Sequence, residues 1–237
     1  MDNQIEIITL CGFSGVGKTT IGKYLSDYLS SEYNLDSVIF IDLDEYIKDR
    51  IGTDIKNYFH QFSEKEFRKR EYEALKEIIT HSDNLENLNP NTLTTKISDS
   101  EGVESSKSIR IKGKKGDNGI EKREFKKVKR IKIISLGGGS LEFKKSRELV
   151  KNHTLCIYLS CTPKLLSERL SDTKEIEKRP IISKMLKDEG EMVEKIALLL
   201  NKREKNYLES SQWEIDTAQW DEEKFAKQIV EKICAYL

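Results

Sequence analysis

Ile5-Glu6-Ile7-Ile8-Thr9-Leu10 runs through Cys11 into Gly12-Phe13-Ser14-Gly15-Val16-Gly17-Lys18-Thr19, and most other informative residues can be placed relative to this stretch. The first six residues are apolar and branched enough to form a buried strand. The next eight have the G-x-x-x-x-G-K-T spacing of a phosphate-binding loop. Glycines let the backbone turn tightly and point its amide N–H groups at an anion, where a helix starting near Lys18 presents its positive end. In this pattern Lys18 reaches the β and γ phosphates and Thr19 holds Mg²⁺. A glycine-rich turn that binds nothing is the alternative, but here the full pattern sits between a credible strand and a credible helix.

The chain has 237 residues, room for one sizeable α/β core. Basic and acidic residues number 41 each, so no overall charge points to nucleic acid or a membrane surface. Cys11, Cys156, Cys161 and Cys234 form no C-x-x-C pair, which argues against structural zinc or a disulfide framework and for a reducing compartment. No apolar run approaches the length of a bilayer span, and the first strand starts too close to Met1 for a signal peptide. The expectation is one cytoplasmic domain over residues 1–237, a monomer with neither nucleic acid nor membrane as partner.

Beyond the loop, Ile21, Tyr24, Leu25, Tyr28 and Leu29 recur at helical spacing. Val38 to Ile41 reads as a buried parallel strand delivering Asp42-Leu43-Asp44 at its C-terminal end, where doubly wound sheets bind ligands. A solvated strand end with a helix cap is the blander reading of those acids. Ser63 to Glu66 is a capping box opening a helix with the stripe Phe67, Ala74, Leu75, Ile78, Ile79; Arg68 lies at its edge and by itself reads as a solvated residue.

Residues 81–130 lose all periodicity and read as a low-complexity insertion, expected to be disordered. Its basic second half suits a solvated tether better than a polyanion site, because Phe125 is its lone aromatic. Order resumes with the strand Ile131 to Leu136 and Gly137-Gly138-Gly139, glycines that permit close approach of a ligand. A short helix from Leu141 to Val150, a strand from Leu155 to Leu159 and a helix capped by Thr162 follow. The charged segment 171–187, containing Arg179-Pro180, suits a mobile lid over a nucleotide. In the next helix Arg203 shares a face with Leu199 and Leu200, so it either snorkels at the core rim or points into a cleft. Trp213 to Thr217 and a closing helix from about Phe225 end an alternation of strands and helices.

In this order the pieces resemble the shikimate kinase family: the loop, Asp42-Leu43-Asp44, Gly52, Phe67-Arg68 with Glu71, the three glycines, Arg179-Pro180, Arg203 with Tyr207, and Asp216-Thr217. The resemblance implies a five-stranded parallel sheet flanked by helices, a P-loop kinase with a mobile lid, and transfer of the ATP γ-phosphoryl group to the 3-hydroxyl of shikimate. It implies ATP on Gly15, Val16, Gly17, Lys18, Thr19, Thr20 and Arg179, Mg²⁺ on Thr19 with Asp42 nearby, and shikimate on Asp44, Arg68, Gly138, Gly139 and Arg203. Asp44 is then the candidate base, with Lys18 and Arg179 stabilising charge. Two features depart from the family: the insertion, and Ala218-Gln219-Trp220-Asp221 where a basic residue near adenine is usual. The rivals are a kinase of the same fold acting on gluconate, and a phosphate-loop binding module whose basic insertion meets a partner.

Overall fold

The computed structural model describes residues 4–33, 35, 37–80, 93–97, 128–171, 191–219 and 221–236. The expected lid with Arg179 and Pro180, and most of the insertion, lie outside the described residues. The strands are β1 (Gln4–Cys11), β2 (Ser37–Asp42), β3 (Leu93–Ile97), β4 (Val128–Ser135), β5 (Leu155–Ser160) and β6 (Trp213–Asp216). The helices are α1 (Lys18–Glu32), α2 (Leu43–Ile51), α3 (Ile55–Gln61), α4 (Glu64–Thr80), α5 (Lys144–His153), α6 (Pro163–Arg169), α7 (Met192–Ser210) and α8 (Glu222–Tyr236), with a 3₁₀ turn at Ser140–Glu142.

One sheet has the order β3-β2-β4-β1-β5-β6. The expected five parallel strands are there, with β1 in register between β4 and β5. A sixth falls within residues 81–130, the segment that lacks periodicity in the sequence. Leu93–Ile97 pairs antiparallel with β2, Ile97 opposite Ser37 and Leu93 opposite Ile41, and Val128 to Arg130 already belong to β4. Thr94, Thr95 and Ile97 are β-branched, as an edge strand favours, but five residues among Ser, Asn and Lys leave no visible alternation.

Register assigns the two faces of the sheet. Phe40, Ile133 and Ile8 are partners across three strands, and all are nearly inaccessible. This face meets α1, where a Cβ on Gly22 would stand 2.3 Å from the Phe40 ring, so only glycine allows that approach. Lys132, one residue out of phase and buried, points the other way and donates from Nζ to Ile78 O in the last turn of α4 at 3.0 Å. An ammonium at the negative end of a helix is favourably placed.

Three local expectations change in detail. Ser63 caps α4 by accepting from Glu66 N at 3.3 Å, while Glu66 pairs with Lys69 at 2.6 Å instead of completing the box. The helix expected from Leu141 divides into the 3₁₀ turn and α5, with Phe143 extended between them. Finally, β2 ends at Asp42, so Asp44 belongs to α2 and not to an extended strand end.

Candidate active site

The loop between β1 and α1 is shaped by glycines where side chains cannot go. Gly12 has φ +141°, and a Cβ there would meet Leu159 O at 2.4 Å. Gly17 is the N-cap of α1 at φ 99°, with no side-chain cap and no acid in the first turn, leaving the amides there for an anion. Lys18 is buried and donates from Nζ to Gly12 O at 3.0 Å and Phe13 O at 2.9 Å. Ser14, Gly15, Gly17, Lys18, Thr19 and Thr20 line a cleft of about 410 Å³ with Asp42, Asp44, Ser135 and Gly138. Val16 is not among the residues lining the cleft, its side chain being in the core.

Asp42 serves two elements. Its Oδ1 accepts from Asp44 N at 3.1 Å and Glu45 N at 3.3 Å, capping α2, and its Oδ2 accepts from Thr19 Oγ1 at 2.7 Å. The helix-cap reading therefore describes Asp42, which also faces the loop through Thr19. Ser135, which register aligns with Asp42 and Leu10, places its Oγ 3.5 Å from Thr19 Oγ1. Sequence reasoning missed this serine; the signal was a hydroxyl closing a parallel strand at its ligand end.

Asp44 is half-buried, and its carboxyl is pushed up to about 7. Burial is the main cause, joined by the Glu71 and Asp42 carboxylates; Lys18 and Lys48 pull it back. Such a value suits a group that takes up and releases a proton near neutrality.

The three glycines divide the space around this acid. An ideal Cβ on Gly137 would lie 2.8 Å from both Asp44 Oδ1 and Glu71 Oε1, one on Gly138 2.7 Å from Ser14 Oγ, and one on Gly139 2.0 Å from Arg68 Nη2. None of the three has positive φ, so what they supply is room, not backbone freedom. Tyr207 OH donates to Gly138 O, and its ring stacks on Tyr158 at 5.3 Å.

Arg68, which by itself read as a solvated helix residue, is 7% exposed. Its Nη1 donates to Glu71 Oε2 at 2.7 Å and its Nη2 to Glu64 Oε1 at 3.2 Å. Burial opposes the charge, but Glu71 and Glu64 hold the guanidinium's pKa above its ordinary value. Glu71 also accepts from Ser140 Oγ. Arg203 is 3% exposed and donates from Nε to Glu142 Oε1 at 2.6 Å. This burial rules out the rim-snorkelling reading, and the side chain is not among those lining the loop cleft. Burial alone would raise the Glu142 carboxyl, but Arg203 outweighs it and the net shift is downward.

Arg169, also unanticipated, lines the cleft from the end of α6 and donates to Thr217 O at 2.7 Å. An arginine in a last helical turn ordinarily serves the helix dipole, which hid it. Among the described residues no group of three or more His, Cys, Asp or Glu side chains could hold a metal, and no helix is long and apolar enough to cross a membrane.

A parallel sheet with a glycine-lysine loop at the end of its central strand, opening on a carboxyl poised near neutrality, defines a P-loop kinase for a small molecule. The shikimate kinase family model matches residues 14–85 and 91–234. The chain belongs to the shikimate kinase family. It is 26% identical over 229 residues to the shikimate kinase of Enterococcus faecalis, covering 97% of this chain and 99% of that one. It is 30% identical over 207 residues to that of Chlorobaculum tepidum, covering 86% and 78% respectively. Its fold matches that of shikimate kinase from Acinetobacter baumannii solved in complex with shikimate, with a TM-score of 0.65, 21% identity and coverage of 99% of this chain and 96% of that one. The enzyme from Bacteroides thetaiotaomicron gives a TM-score of 0.62 at 22% identity, covering 96% and 98%.

Proposed function

We propose that Asp44, Arg68, Gly138, Gly139 and Arg203 bind shikimate beside the phosphate loop, and that Asp44 is the group that receives or orients its 3-hydroxyl proton. The protein phosphorylates shikimate with ATP, giving shikimate 3-phosphate on the route to chorismate and the aromatic amino acids. The observation carrying the site assignment is that Asp44 and Arg68 pack against the glycine turn while Glu142, at the end of that turn, holds the buried Arg203; Asp44 and Gly138 also line the loop cleft, which Arg68, Gly139 and Arg203 do not. A carboxylated triol asks for that set: guanidinium forks for the carboxylate and an acid for a hydroxyl.

In this reading the amides of Gly15 to Thr20 orient the ATP phosphates, and Lys18 balances charge as the γ-phosphoryl group moves. Thr19, Asp42 and Ser135 present hard oxygen donors, the set that suits Mg²⁺, with Thr19 and Asp42 as its holders. When bound, that ion would supply positive charge that offsets the charge of the phosphates. Arg179 is assigned to the lid's contact with ATP. One domain over residues 1–237, acting as a cytoplasmic monomer with neither nucleic acid nor membrane as partner, completes the proposal.

The test is ADP release with ATP and Mg²⁺, offering shikimate or gluconate. Turnover with shikimate alone supports the reading; turnover with gluconate alone, or ATP binding without turnover on either, sinks it. A second expectation concerns the glycines. Gly139→Ala forces the Arg68 guanidinium off Glu71, so KM for shikimate should rise about tenfold or more while KM for ATP stays within about twofold. Equal changes in both constants would show general damage to the fold instead.

A further inference from the structure

We infer that Glu142 positions Arg203 for the substrate carboxylate, covering the guanidinium's Nε edge so that the two terminal nitrogens form the edge that the ligand takes. This rests on the cleft being a shikimate site. A guanidinium offers a carboxylate two bidentate edges, one through Nε and one through both Nη atoms. The Nε edge of Arg203 is taken by Glu142 at 2.6 Å. Among the described residues, neither terminal nitrogen makes a hydrogen bond, although the side chain is only 4% exposed. Arg68 is held in the opposite sense: Glu71 and Glu64 take its terminal nitrogens, and its buried Nε has no partner.

Both carboxylates are tied to the same three residues. Ser140 opens the 3₁₀ turn and donates to Glu71, which holds Arg68; Glu142 closes the turn and holds Arg203. The turn is itself braced, because Arg147 Nη1 donates to Leu141 O at 2.7 Å and Glu142 O at 3.0 Å and Leu141 is buried in the core. The spacing of the two guanidinium groups is thus set by a short rigid segment directly after the glycines. Without the Glu142 carboxylate, Arg203 would lose the contact that fixes its plane, and a planar fork out of plane with its ligand cannot bind it bidentately.

A purely structural ion pair would stitch α7 to the turn with no regard to the ligand's charge, and a neutral ligand separates the two roles. Calorimetric Kd values for shikimate and for its carboxamide, which keeps the hydroxyls and lacks the charge, are compared for wild type, Glu142→Gln and Glu142→Ala. The kcat, KM for ATP and Tm of each are measured alongside. Glu142→Ala should weaken shikimate about tenfold and leave the carboxamide, kcat and KM for ATP within about twofold. Glu142→Gln keeps an oxygen for Nε and should fall within about threefold of wild type. An unchanged or tighter shikimate Kd in Glu142→Ala, or equal losses for both ligands, overturns the inference. A wild type that binds shikimate without turning it over would fail the kinase reading alone, and the Kd comparison would still decide this one. A wild type that does not bind shikimate overturns both.

Discussion

Asp44→Asn should lower kcat by about 10² to 10⁴, the usual range for loss of a positioned proton acceptor, with KM for ATP within about twofold of wild type. The amide fills the same volume between Gly137 and the loop but cannot receive a proton. Because burial and neighbouring carboxylates push the carboxyl up to about 7 in the free protein, wild-type kcat/KM for shikimate should climb along an acid limb centred near that pH, and the variant should lack the limb. Stability should move the other way. An aspartate in the unfolded chain releases its proton near about 3.9, whereas in the fold Asp44 keeps it to about 7. The native state binds the extra proton between those values, so this group's contribution to stability falls as pH rises from about 4 to about 7 and is level above. Asp44→Asn removes that loss. Its Tm at pH 8 should exceed wild type by roughly 2–4 °C, allowing for solvent screening in an open cleft, and the gap should close as pH falls toward 4. An unchanged kcat, or a Tm gap that widens on acidification, would remove Asp44 from its role.

Lys18→Met should reduce single-turnover phosphoryl transfer about 10³-fold, the scale on which removing one preorganised charge or donor acts on a transition state. The buried aliphatic stem is matched by methionine, and the amides opening α1 remain, so ATP should still bind, about tenfold more weakly. The ammonium now held by the carbonyls of Gly12 and Phe13 is also one of the charges lowering the Asp44 pKa. Its removal should therefore shift the residual acid limb above that of wild type, a displacement that simple loss of ATP affinity would not produce. Single-turnover rates across pH check both effects. A variant that retains more than about a tenth of wild-type transfer would show that the loop lysine is not the main charge stabiliser.

Much of the fold was legible because its signals are local. The loop needs only closely spaced glycines, a lysine and a threonine between two elements, and most of the parallel strands announce themselves as largely apolar runs. β3 escaped because five residues, most of them β-branched or polar, carry no period of their own until β2 offers an edge. Asp44 lines the cleft, but α2 and not the end of the strand carries it.

The side chains' roles divide along the same line. Ile5 to Thr19 sufficed to specify a phosphate-binding unit, since backbone conformation and amide direction there depend on neighbours along the chain. Nothing local makes Arg68 and Arg203 buried cations, pairs Glu142 with a residue 61 positions away, or brings Ser135 to Thr19 across 116. Those partnerships follow from sheet register and from helices converging on the glycine turn. The raised pKa of Asp44 likewise belongs to the assembled cleft, because desolvation and the charges of Glu71 and Asp42 act on it only once folding has brought them together.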